Sequence, residues 1–142
     1  MLPIDRLVCG TPRPGKGGGN FGPHLALDLM ECDPARLGDL QLIFAILYHL
    51  PELIGMQRIT QPYVFPYEGS VPEDAGITGM TIIAESHISV HTFVSKKFAF
   101  VDIFSCKAFD LETASSYFIE RFAAQGSDRW IVYRGRGFPR GR

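Results

Sequence analysis

Gly79-Met80-Thr81-Ile82-Ile83-Ala84-Glu85-Ser86-His87-Ile88-Ser89-Val90-His91-Thr92 is the stretch on which the reading of this chain turns. Its first half is a short apolar run of strand character, and its second half packs a carboxylate, a hydroxyl and two imidazoles into a few positions. A second strand-like run, Phe98–Phe104, follows and ends beside Cys106. In an extended chain residues of equal parity share a face, so Glu85, His87, Ser89 and His91 are expected on one side and Ser86 on the other. A bend at Ser86 would bring Ser86, a histidine and the returning Cys106 to one end of a hairpin.

Strands are expected at 79–84 and 97–105, flanking the Ser-His segment. Upstream, residues 24–30 alternate with Leu25, Leu27 and Leu29 on one face, the pattern of a half-buried strand. Asp33-Pro34 forms a helix start, an N-cap followed by a proline in the first turn. Leu37, Leu40, Ile43, Leu47 and Leu50 then recur every three or four residues as one apolar stripe, up to Pro51, which ends or kinks the helix. His49 falls near the end of that helix and reads as structural. Residues 57–65 form a strand interrupted at Pro62, hence one at a sheet edge. Residues 67–78 form a loop rich in Pro, Gly and acid. Asp110 caps a second helix whose stripe is Leu111, Ala114, Phe118 and Phe122, with Gly126 as its stop. Residues 130–133 make a last strand. The order β-α-β-β-β-α-β predicts an α+β fold, a mainly antiparallel sheet with both helices on one face.

A chain of 142 residues suits one domain able to bury its own core. Residues 1–20, with Pro3, Pro12, Pro14 and a glycine run, read as a flexible N-terminal arm, and 21–142 as the single domain. Residues 10–16 spell GxxxxGK, but Gly17 stands where a phosphate loop needs Ser or Thr and no helix can open there, so the match is accidental. Hydrophobic residues make up 46% and charged residues 20%, and 14 basic against 15 acidic side chains provide no broad footprint for nucleic acid. No apolar run reaches membrane-spanning length and the N-terminus lacks the layout of a secretory signal, so no membrane partner and a cytoplasmic location are expected. Cys9, Cys32 and Cys106 lack zinc or disulfide spacing.

Glu85-Ser86-His87-Ile88-Ser89-Val90-His91-Thr92 together with Val101-Asp102-Ile103-Phe104-Ser105-Cys106 resembles the bacterial S-adenosylmethionine decarboxylase family. Gly22-Pro23-His24-Leu25, Cys32-Asp33-Pro34, Gly76-Ile77-Thr78-Gly79 and Arg134-Gly135-Arg136 agree with it in order and spacing, so the likeness spans residues 21–136. The resemblance implies a two-layer α/β sandwich, a small-molecule substrate and a homodimer. It also implies self-processing. Ser86 Oγ attacks the Glu85 carbonyl, the peptide becomes an ester, and β-elimination releases the Glu85 carboxylate. The remaining dehydroalanine tautomerises and hydrolyses to a pyruvoyl group, leaving chains 1–85 and 86–142. By the same resemblance His91 is the processing base, Thr78 stands where the family has an assisting serine, and Cys106 is the proton donor in decarboxylation. The pyruvoyl ketone, the only cofactor implied, forms a Schiff base with the substrate amine and withdraws the electrons left by carbon dioxide.

The family continues Trp-Pro-Glu after its His-Thr, the aromatic stacking on adenine and the acid holding the ribose diol. This chain has Phe93-Val94-Ser95. Phe93 retains a stacking face, Phe65 or Tyr67 offers an opposite wall, and Ser95 takes the acid's place. Glu68, Glu73 and Asp74 in the preceding loop are candidate replacements for the lost charge. Other readings stay open on residue types alone. These are a pyruvoyl decarboxylase of arginine or ornithine and an unprocessed regulatory paralogue. A Cys106–His91 hydrolase lacks an oxyanion-hole motif, and a metal site at His87 and His91 lacks a third ligand, so no metal is expected. The reading favoured is a self-processing pyruvoyl-dependent decarboxylase of S-adenosylmethionine, serving polyamine synthesis.

Overall fold

The computed structural model describes residues 4–6 and 21–139. In chain order the elements are β1 (Ile4–Arg6), β2 (Gly22–Met30), α1 (Pro34–Leu37), α2 (Leu40–Leu53), β3 (Gln57–Arg58), β4 (Tyr63–Tyr67), β5 (Gly76–Ala84), β6 (Ser86–Phe93), β7 (Phe98–Phe104), α3 (Leu111–Phe122) and β8 (Gly126–Arg134), with a 3₁₀ turn at Pro72–Asp74. The strands form one sheet in the order β1-β8-β2-β7-β6-β5-β3, with β4 pairing the other half of β5. Every pairing is antiparallel except β1 with β8. Among the described residues no helix is long and apolar enough to cross a membrane.

The fold is the expected α+β sandwich, a mainly antiparallel sheet with the helices on one face. Leu25, Leu27 and Leu29 of β2, Ile88 and Val90 of β6, and Val101 and Ile103 of β7 are almost fully buried. They meet Ile43, Ile46, Leu47 and Leu50 of α2 and Ala114, Phe118 and Phe122 of α3. Alternation on the strands and three-or-four spacing on the helices point these side chains into one layer between sheet and helices. Thr92 pins that layer from β6: its hydroxyl donates to the Leu37 carbonyl (2.8 Å) and accepts from the Ile77 N–H (2.9 Å).

Several expectations need correction. The helix begun at Asp33-Pro34 stops at Gly38, and Asp39 caps a second one, its carboxylate accepting from the Leu42 N–H at 3.0 Å. Leu40 thereby becomes the first residue of α2 and stays 38% exposed instead of joining the stripe. Pro51 lies inside α2, which runs on to Leu53. The strand expected over 57–65 is two strands, since residues 59–62, Pro62 among them, interrupt it. The loop is shorter than expected, because Gly76 to Thr78 already pair with β4. Gly126 does not stop α3. Ala123 does, in the left-handed conformation (φ 51°), and Gly126 opens β8. The Ser-His segment is itself a strand, β6. Of the expected N-terminal arm, Ile4–Arg6 form β1, while residues 1–3 and 7–20, including the GxxxxGK match, lie outside the described residues.

The face of the sheet away from the helices carries Tyr63, Phe65, Met80, Ile82 and Phe100, each between 37% and 73% exposed. Register places His24, Asp28, His87, Ser89, His91, Asp102 and Phe104 on the same side. His24 Nε2 and Asp102 Oδ1 are 3.1 Å apart there. Burial, followed by the neighbouring charges of Asp128 and Asp102, pushes the Asp28 carboxyl above its ordinary value.

Candidate active site

The β5–β6 connection is the tightest in the sheet. Ile83 pairs directly with Ser86, leaving Ala84 and Glu85 to make the turn. The bend therefore comes one residue before the one expected, and Glu85 leaves the face it would share with His87, Ser89 and His91. Glu85 is exposed at the tip, while Ser86 is half-buried as the first residue of β6. Ser86 Oγ is buried, and no described residue hydrogen-bonds to it. A buried hydroxyl without a partner costs stability, and among the described residues Thr81 Oγ1 shares this state with Ser86 Oγ.

Cys106 comes back to this turn from the end of β7, as expected. Its Sγ lies 3.2 Å from the Glu85 N–H, which donates to it, and 3.5 Å from the Ala84 carbonyl, to which the thiol donates. The mount is rigid. Ser105, immediately before it, is fully buried, donates its N–H to the Pro23 carbonyl (3.1 Å) and its hydroxyl to the Lys107 carbonyl (2.7 Å). Glu85, Ser86 and Cys106 thus form one cluster.

His91 and Thr78 are not part of it. His91 lies five positions along extended strand from Ser86, about 17 Å at about 3.4 Å per residue. The histidine that stays near the turn is His87, whose ring stands 6.2 Å from that of Phe104. Thr78 pairs with His91 across β5 and β6, and its Oγ1 is 3.2 Å from His91 Nδ1. These two residues line a cavity of about 420 Å³ on the helix-free side with Phe65, Tyr67, Asp74 and Phe93. Phe65 and Tyr67 reach it from β4 and Phe93 from the end of β6.

Ser95 does not line this cavity. Its hydroxyl donates to the Glu73 carbonyl at 2.9 Å. Of the three loop acids only Asp74 reaches the cavity; Glu68 borders a neighbouring one. Lys96, on the turn between β6 and β7, holds the Asp74 carboxylate at 2.5 Å, and that hydrogen bond raises the lysine's pKa. The sequence offered no sign of this Lys96–Asp74 contact, because it depends on two loops meeting. Among the described residues no three His, Cys, Asp or Glu side chains gather where they could hold a metal ion.

Residues 23–135 match the family model described as S-adenosylmethionine decarboxylase. The chain is 34% identical over 116 residues to the S-adenosylmethionine decarboxylase proenzyme of Pyrococcus abyssi, covering 81% of this chain and 79% of that protein. It is 34% identical over 103 residues to the proenzyme of the same name from Thermodesulfovibrio yellowstonii, 72% of each chain. The crystal structure of the adenosylmethionine decarboxylase from Aquifex aeolicus has the same fold, with a TM-score of 0.69 at 24% identity over 82% of this chain and 92% of that one. The match of 113 residues to one family model, together with these relatives, places the chain in the S-adenosylmethionine decarboxylase family.

Proposed function

We propose that this chain cuts itself between Glu85 and Ser86, converts Ser86 into a pyruvoyl group, and then decarboxylates S-adenosylmethionine as a lyase. One observation carries the reading: a buried Ser86 hydroxyl without a hydrogen-bond partner among the described residues, set at a two-residue turn beside the Glu85 carbonyl it would attack. That residue fits the group, since the cut needs a hydroxyl not already committed elsewhere. Oγ bonds to the Glu85 carbonyl carbon as the bond from that carbon to the Ser86 nitrogen breaks, and the hydroxyl proton ends on the nitrogen. Loss of the Ser86 Cα proton then breaks the Cβ–Oγ bond, and water replaces the nitrogen as ammonia. The ketone so formed supplies an electron sink for decarboxylation. Cys106, carried beside it on the end of β7, provides the proton for the substrate carbon.

The active unit is a homodimer, and the strand geometry supports this. Ser86 and the Thr78–His91 pair sit at opposite ends of one hairpin, too far apart for direct proton transfer within a chain. A two-fold axis across the helix-free face would set the turn of one copy against the Thr78–His91 end of the other. That face also exposes the apolar side chains a second copy would cover. His91, oriented by Thr78, then serves as processing base for the partner copy. Phe65, Tyr67 and Phe93 flank the adenine, and the Asp74 carboxylate is the acid within reach of the ribose.

The test is an intact mass of the purified protein under denaturing conditions, with assays of carbon dioxide release from S-adenosylmethionine, arginine and ornithine. Two chains meeting between Glu85 and Ser86, the second with a blocked terminus, and release from S-adenosylmethionine alone are expected. A single full-length chain after prolonged incubation would overturn the processing, and release from arginine or ornithine instead would overturn the substrate.

A further inference from the structure

We infer that Lys96 is a positioning residue for substrate binding: it fixes the direction of the Asp74 carboxylate, so that an acid carried by the β4–β5 loop is presented to the ribose hydroxyls. The inference rests on the S-adenosylmethionine reading proposed above. Three successive loop residues, Glu73, Asp74 and Ala75, are each bound by one of three successive residues of the β6–β7 turn. Ser95 Oγ donates to the Glu73 carbonyl at 2.9 Å, Lys96 Nζ to Asp74 Oδ1 at 2.5 Å, and the Val94 N–H to the Ala75 carbonyl at 3.1 Å. Thr92 adds a fourth tie, accepting from the Ile77 N–H. The loop is thereby fastened to the turn at the side of the cavity that Asp74 and Phe93 both line.

The bonds to the Glu73 and Ala75 carbonyls set the path of the loop but not where the Asp74 side chain points. Lys96 sets that. An ionised carboxylate has about four acceptor positions; Lys96 takes one on Oδ1, and no described residue bonds to Oδ2. The carboxylate is thus oriented and still able to accept from a diol. Folding gains little from the pair, because side chains 55% and 35% exposed are screened by water. Binding gains more, since an acceptor already held in place does not have to be ordered when the ligand arrives. A purely electrostatic part for Lys96 would have the opposite sign. On the reading above the substrate is a sulfonium cation, which a nearby ammonium repels, so removing the charge would then tighten binding. Lys97, one position on, carries the same charge but forms no ion pair among the described residues.

The experiment measures carbon dioxide release by the processed protein from S-adenosylmethionine and from its 2′,3′-dideoxy analogue. Lys96→Met should raise KM for S-adenosylmethionine about 3- to 10-fold with kcat unchanged, and should barely alter KM for the analogue. Lys96→Arg, which keeps a cationic donor, should recover most of the affinity. Lys96→Met combined with Asp74→Asn should be no worse than Asp74→Asn alone, because the two residues act through one carboxylate. Lys97→Met should match the parent throughout, and Lys96→Met should match it in cutting at Ser86 and in melting temperature. An unchanged or lower KM in Lys96→Met would overturn the inference, as would a double variant whose loss is the product of the two single losses. Either result leaves decarboxylation of S-adenosylmethionine by the parent standing. A parent that releases no carbon dioxide from S-adenosylmethionine would overturn that reading and this inference with it.

Discussion

Thr78 and His91 face each other across two strands, Oγ1 to Nδ1 3.2 Å, on the side of the sheet that no helix covers, whereas Ser86 starts the strand that His91 nearly ends. This contact engages Nδ1 and orients the ring, leaving Nε2 to work outward. Outward here means away from the chain's own core and toward whatever lies on that open face.

Complementation between two inactive chains follows from this arrangement. His91→Ala alone should slow cutting by about 100-fold or more, the order a positioned base contributes. Ser86→Ala alone should not cut. Co-expressed with different tags, they should form mixed dimers in which the His91→Ala chain is cut, using the imidazole of its Ser86→Ala partner. Mass measurement of the two tagged chains reads this directly. Mixed dimers recovered with both chains intact would show that His91 does not act across the interface.

The cavity between β4 and β6 makes a separate prediction, on substrate affinity. Phe93 stands perpendicular to Phe100 with ring centres 5.7 Å apart and lines the cavity. Phe93→Ala should raise KM by about 3- to 10-fold, as expected from losing about 0.5–1.5 kcal/mol of ring stacking, and leave cutting unchanged. Asp74→Asn should raise KM for S-adenosylmethionine as well, with less effect on a 2′,3′-dideoxy analogue. Equal losses for both compounds would remove Asp74 from ribose recognition.

Much of this was legible in the sequence, and what was not has physical reasons. The stripes Ile43-Leu47-Leu50 and Ala114-Phe118-Phe122 lie in the core because burial enforces a periodicity that one strand of text can show. The Ser86–Cys106 meeting was legible for a similar reason, as a hairpin end is set by local pairing. The distance from Ser86 to His91 was hidden by sequence proximity: five residues are close in a turn or helix but about 17 Å apart in a strand. Asp39 as a second cap and Ala123 as the end of α3 escaped notice because stronger signals, Asp33-Pro34 and Gly126, stood nearby.

Acid should weaken α3 through its cap. The Asp110 carboxylate accepts from the Thr113 N–H at 3.0 Å, and hydrogen bonds from the backbone and side chain of Thr113 hold its pKa below the usual 3.8. A carboxyl whose folded pKa lies below its unfolded value contributes stability above the unfolded value, and loses it as pH falls through the folded one. Asp110→Ala should therefore melt a few degrees below the parent at pH 7, and the gap should narrow as pH drops below 3.8. Thermal unfolding from pH 7 down to acid checks this. A gap that stays constant would mean the charge plays no part in the cap.

Gly22 sets where Cys106 stands. A Cβ at this position would run into the Ser105 carbonyl oxygen, a backbone atom that cannot swing aside. Ser105 is in turn tied to Pro23 by its N–H. Gly22→Ala must therefore push β2 and the end of β7 apart, at a cost of about 1–3 kcal/mol typical of overpacking. The displacement falls one residue before the thiol, so cutting at Ser86 should slow along with the loss of stability. The matched control is Gly137→Ala, where an added Cβ meets nothing within 4 Å, and it should leave both unchanged. Urea unfolding and the rate of appearance of residues 1–85 separate the two effects. A Gly22→Ala chain that is destabilised yet cuts at the parental rate would mean that the turn does not depend on where β7 ends.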